Sequence, residues 1–144
     1  MKFIKRILSV SLTIIGFACN SGNQNIPQHD QKEIKNQELA NYSFLSGMYQ
    51  DSYFPTYLVD KGKNILINLC LEIEKTNPKT LTELYKLTHN ATRQFNALAY
   101  EFDANGSEIE TVAREVIALD IEFIARSYNF PHADVEELIA PRDW

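Results

Sequence analysis

From Leu81 onward, the residues Leu81, Leu84, Thr88, Ala91, Phe95, Leu98 and Phe102 recur at spacings of three and four. Such a stripe lines one face of an α-helix. It cannot line one face of a strand, whose side chains alternate with period two. Both ends of the stripe are marked. Asn77-Pro78 breaks the preceding chain, and Thr80 and Glu83 stand at capping-box spacing, where each side chain satisfies the other's free N–H. Asn105-Gly106 closes it, because glycine accepts the left-handed geometry that ends helices.

The same grammar repeats on either side. A helix is expected from Pro55 to Thr76, with Leu58, Ile65, Leu66, Leu69 and Ile73 on one face and Ile67 and Leu71 on the opposite one. A helix apolar on two sides needs two covers, and the segment Tyr42–Tyr53 is the natural second one. Ser107 and Glu110 repeat the capping-box spacing before a third stripe of Ile109, Val112, Ala113, Val116, Ile117, Phe123 and Ile124, which Asn129-Phe130-Pro131 stops. Asp134 and Glu137 announce a short last helix, Val135–Ala140. No period-two alternation persists anywhere. The expected fold is all-α: a three-helix up-down bundle with a short C-terminal fourth helix. Tyr42, Phe44, Tyr49, Tyr53, Phe54 and Tyr57 supply an aromatic-rich N-terminal cover.

The amino terminus follows other rules. Met1 to Arg6 is cationic, and Ile7 to Ala18 carries no charge. That run is too short to span a bilayer, which takes about 20 apolar residues, but it has the length of a signal-peptide core. Gly16, Phe17 and Ala18 precede Cys19. This arrangement resembles the lipobox of bacterial lipoproteins, with Gly16 where leucine is usual; the resemblance implies that Cys19 is acylated and becomes the mature first residue. Each buried CH₂ contributes about 0.8 kcal/mol, so two or three acyl chains hold a protein on a membrane durably. The expected organisation is a signal peptide over 1–18, a lipid-anchored polar tether over 19–41 and a helical domain over 42–144. The tether is expected to be disordered, since nine of the residues between Asn20 and Asn41 are Asn or Gln and few are apolar.

Charge narrows the partners. Three of the 14 basic residues (Lys2, Lys5 and Arg6) precede Cys19 and no acidic residue does, leaving 11 against 19 and a net −8 on the remainder. Binding to nucleic acid needs clustered Lys and Arg to displace counterions, so that class is set aside. The expected partners are the lipid bilayer, through acylated Cys19, and a protein. The expected place is the bacterial envelope, on the periplasmic or outer side. Glu108, Glu110, Glu115 and Glu122 give the third helix an acidic cast that suits solvent or a basic partner.

No phosphate loop, nucleophile elbow or paired metal-ligand motif occurs, and His29, His89 and His132 are scattered, so neither metal nor cofactor is expected and catalysis is not the leading reading. Cys70, in the apolar run NILINLCLEIEK, is expected to be a buried, inert thiol. The candidate position for chemistry is Asp120, which falls inside the third stripe and requires partners if buried. Thr88, Tyr85, His89 and Arg93 on the second long helix are the candidates to form a polar pocket with it, for a small ligand or weak catalysis. Trp144 closes the chain and is expected to pack over Ile67 and Leu71; Trp144 and Tyr49 are otherwise candidate contacts for a protein partner.

The strings MYQDSYFPTYLVDK (48–61), NGSEIETVARE (105–115) and EELIAPRDW (136–144) resemble an uncharacterised family of small helical bacterial proteins. The resemblance covers roughly residues 44–144. It implies an all-helical fold and carries no activity or site residue with it.

Overall fold

A computed structural model describes residues 26–144. The expected signal segment and Cys19 lie outside the described residues. Among those described there is no strand. The helices are α1 (Gln37–Ala40), α2 (Ser46–Tyr49), α3 (Thr56–Thr76), α4 (Leu81–Ala104), α5 (Thr111–Ser127) and α6 (Val135–Leu138), preceded by a single 3₁₀ turn, Gln31–Glu33.

The stop and start signals act as their chemistry dictates. Asn77 ends α3 in the left-handed region at φ 50°, its N–H donating to the Ile73 carbonyl, and Pro78 cannot continue the helix. The Thr80 hydroxyl accepts the Glu83 N–H at 3.2 Å while the Glu83 carboxylate accepts the N–H groups of Lys79 and Thr80. Those donors hold Glu83 below the usual carboxylate range. At the other end of α4, Gly106 sits at φ 72° and the Ser107 N–H returns to the Phe102 carbonyl.

The broadest contact is between α3 and α4. They run antiparallel: Phe54, just before α3, meets the ring of Phe102 near the end of α4, and Lys61 pairs with Glu101. Gly62 permits the close approach, because a Cβ there would lie 3.0 Å from Leu45 and 3.1 Å from Phe95. α5 is held chiefly by α2 and α6, with smaller contacts to α1 and α3.

Several expectations are corrected. The expected tether is ordered from residue 26: Ile34 and Leu39 are fully buried, and the side chains of Gln31 and Asn36 donate to backbone carbonyls of Leu39, Tyr42 and Ser127. The domain therefore begins well before Tyr42. Ser107 and Glu110 form no capping box; α5 starts at Thr111 after an uncapped Glu110, and Ser107 is buried. The buried face of α5 is also rotated from the expected stripe, since Val112 is 56% exposed while Ile121 is buried. α6 stops at Leu138 rather than Ala140.

Candidate functional site

Asp120 is 5% exposed and both its oxygens are engaged. Oδ2 accepts the Leu45 N–H at 2.7 Å and Oδ1 accepts the Tyr42 hydroxyl at 2.9 Å. Burial pushes its pKa up, against the pull of those two donors. Burial together with the neighbouring carboxyl pushes the Tyr42 phenol up to about 12. Tyr42 in turn stacks on Phe123 at 4.4 Å. Asp120 is thus a cross-link between α5 and the chain ahead of α2.

The pocket expected around it does not assemble. Thr88 donates to the Tyr85 carbonyl and Thr92 to the Thr88 carbonyl, so both hydroxyls are satisfied within α4. Tyr85 and His89 stack with nearly parallel rings and face the C-terminal segment. The Tyr85 hydroxyl accepts the Asp134 N–H, and His89 Nε2 donates to the Glu137 carbonyl at 2.6 Å. Asn96, two turns on, donates to the Pro141 carbonyl and accepts the Asp143 N–H. Tyr85, His89 and Asn96 therefore form a rail along α4 that holds residues 134–143 in place. Arg93 is exposed beside that rail.

Trp144 packs back, but not where expected. Its indole meets Phe95 edge-on at 6.4 Å. The position over Ile67 and Leu71 belongs to the N-terminal segment. Asn64 and Asn68 both donate to the Pro27 carbonyl, and Asn64 also accepts the His29 N–H. Further along α3, the Glu74 carboxylate accepts the N–H groups of Lys35 and Asn36 at 2.9 Å and the Tyr128 hydroxyl at 2.8 Å. By helical geometry these three residues bracket Ile67 and Leu71. Burial raises the Glu74 pKa, but the two backbone donors and the Tyr128 hydroxyl outweigh it and leave it below the usual range. Around Glu74 lies an open groove of about 360 Å³, with Lys35, Asn36, Ile73, Tyr128 and Phe130 among its walls.

Sequence reading missed this second rail. Its signal was present: the amides Asn64 and Asn68 stand one turn apart in the otherwise apolar stretch NILINLCL, a spacing that faces both to one side. Cys70 is buried nearby, and burial followed by the Glu74 charge pushes its thiol well above the ordinary range. No group of three or more His, Cys, Asp or Glu side chains placed to hold a metal occurs among the described residues.

The exposed aromatic side chains concentrate elsewhere. Tyr49, Tyr53 and Tyr57 lie at the α2–α3 connection, the last 52% exposed, and Tyr100 near the end of α4 is 71% exposed. Tyr49 donates to Asp60 at 2.6 Å, and burial followed by that carboxylate raises its pKa. The Tyr53 ring meets Phe54, which meets Phe102.

No curated protein and no solved structure matches the chain. A family profile matches residues 38–144, taking in all of α2 to α6 and leaving out the segment that Asn64 and Asn68 hold. The chain belongs to a family of unknown function, DUF5713.

Proposed function

We propose that this is a bacterial envelope lipoprotein, acylated at Cys19, whose helical domain binds a protein partner rather than turning over a substrate. The charged start, the uncharged run Ile7–Ala18 and the small residues before Cys19 support the anchor. The observation that carries the partner reading is the group of exposed tyrosines at one end of a body that buries most of its other large apolar side chains. Tyrosine offers contact area at little entropic cost and is enriched where proteins meet. We read the long helices α3, α4 and α5 as an up-down bundle, with α6 as its short fourth helix.

The packed N-terminal segment shortens the tether. Residues 20–25 alone would separate Cys19 from the first described residue, a reach of about 25 Å at full extension. The domain would then work close to the membrane surface.

Two measurements test the reading together. Cys19→Ala should move the protein from the membrane fraction to the soluble fraction; retention in the membrane would remove the lipid anchor. A photo-crosslinking residue at Tyr57 should give one discrete adduct in cells, while the same residue at His132 should give none. A smear from both positions would defeat partner binding.

A further inference from the structure

The tyrosine-bearing end is also the acidic end. Asp60 lies one turn after Tyr57 on α3, and Asp51 fixes the turn by accepting the Tyr53 N–H at 2.9 Å. Because α3 and α4 are antiparallel, the end of α4 and the connection to α5 arrive at the same place, bringing Asp103, Glu108 and Glu110, all exposed. Of the cations near this end, Lys61 is committed to Glu101, Lys63 is half-buried on α3, and Arg114 stands exposed one turn after Glu110, so the carboxylates still outnumber the cations. Glu108 and Glu110 stand two residues apart, both exposed, and the charge of Glu110 raises the Glu108 pKa, with Asp103 adding to it. A surface that gathers exposed like charges gains from an approaching cation.

We infer that this end docks a basic protein surface: the tyrosines supply the apolar contact, and the surrounding carboxylates select for Lys and Arg. The inference rests on the partner-binding reading above and adds the partner's chemistry. Arginine suits the surface best, since its guanidinium stacks on tyrosine rings and forks onto carboxylates. Anionic lipid headgroups would be repelled by the same charges, although tyrosine itself favours membrane interfaces.

The full chain in neutral detergent, titrated with a short Arg/Lys peptide, tests this by NMR, with phosphatidylglycerol vesicles in parallel. The peptide should shift amides in 49–60 and 101–110 and bind more weakly as salt rises. Glu108→Gln with Glu110→Gln should weaken binding about tenfold, as should Tyr53→Ala with Tyr57→Ala, with circular dichroism unchanged. Glu122→Gln with Glu136→Gln, equal in charge but away from this end, should leave it unchanged.

An equal loss in the control pair, shifts mapping elsewhere, or vesicles that shift these tyrosines where the peptide does not would each overturn the proposal, the last in favour of a lipid surface. The outcome is separable from the anchor. Retention of Cys19→Ala in the membrane would remove the lipid and leave this surface standing, whereas a peptide without effect would remove the surface and leave the anchor.

Discussion

The Leu45 N–H donates to the Asp120 carboxylate across 75 residues of sequence, and Leu45 sits in the left-handed region at φ 55° with its side chain fully buried. A leucine in that conformation costs on the order of 1 kcal/mol, which the bond to Asp120 and the packing of Leu45 offset. The carboxylate therefore stabilises the reversal of chain that brings α2 onto α5, and its burial needs no substrate to explain it.

Asp120→Ala should destabilise the fold by about 3 kcal/mol, because it strands a buried N–H as well as removing two hydrogen bonds. Asp120→Asn should cost less, since its carbonyl keeps the Leu45 N–H and its amide can donate to the Tyr42 oxygen. The pH dependence carries a sign. The folded pKa is raised above the unfolded one, so the folded state holds the proton longer and stability falls as pH climbs through that interval. The wild type's advantage over Asp120→Asn should shrink as pH climbs above the ordinary aspartate value of about 4. Urea melts of both proteins check this; an advantage that grows with pH contradicts it.

Glu74 should behave with the opposite sign. Its pKa is lowered, so the stability it contributes is present above the unfolded value and is lost as pH falls through the folded one. Glu74→Gln should cost about 2 kcal/mol and loosen the segment it holds. Hydrogen exchange at the Lys35 and Asn36 amides reads this directly, as does tryptic cleavage after Lys32. Unchanged protection at both amides would show that Glu74 is not the clasp.

Gly62→Ala gains helix propensity but forces a methyl to 3.0 Å from Leu45 and 3.1 Å from Phe95, both fully buried. Overpacking of this kind costs about 1–3 kcal/mol, and the propensity gain returns about 1. The net expectation is a lower melting temperature, by a few degrees. A higher one would mean that the α3–α4 contact is slacker than these distances imply.

Cys70 should resist thiol reagents in the folded protein. With Cys19→Ala removing the other thiol, a disulfide-exchange reagent should label Cys70 at a rate that follows unfolding and rises steeply in denaturant. Rapid labelling in native buffer would mark an opening near Tyr128.

Helix existence and helix ends were legible because they depend on neighbours in sequence. The α4 stripe, the Thr80–Glu83 cap and the left-handed stops at Asn77 and Gly106 are all local chemistry. Ser107 and Glu110 show the limit of that reading. They carry the spacing of a capping box, yet Ser107 is drawn into the core and the helix starts later. Ile121 lies outside the expected stripe and Val112 inside it because periodicity gives a face but not which neighbour arrives, and α2 comes to α5 from one side.

The amino-acid sequence by itself determined an all-helical body, the long helices and their caps, and a chemically distinct start ending at Cys19. Tertiary structure alone decided what the polar residues are for. Asp120 answers to Leu45 and Tyr42, Glu74 to Lys35 and Asn36, and His89 to Glu137, all partners dozens of residues away. A buried polar group must find a donor or acceptor, and composition states that requirement without naming the partner. The same holds for the segment from residue 26. Its low hydrophobicity argued for disorder, but the amides of α3 supply the backbone partners that apolar burial would otherwise have to replace.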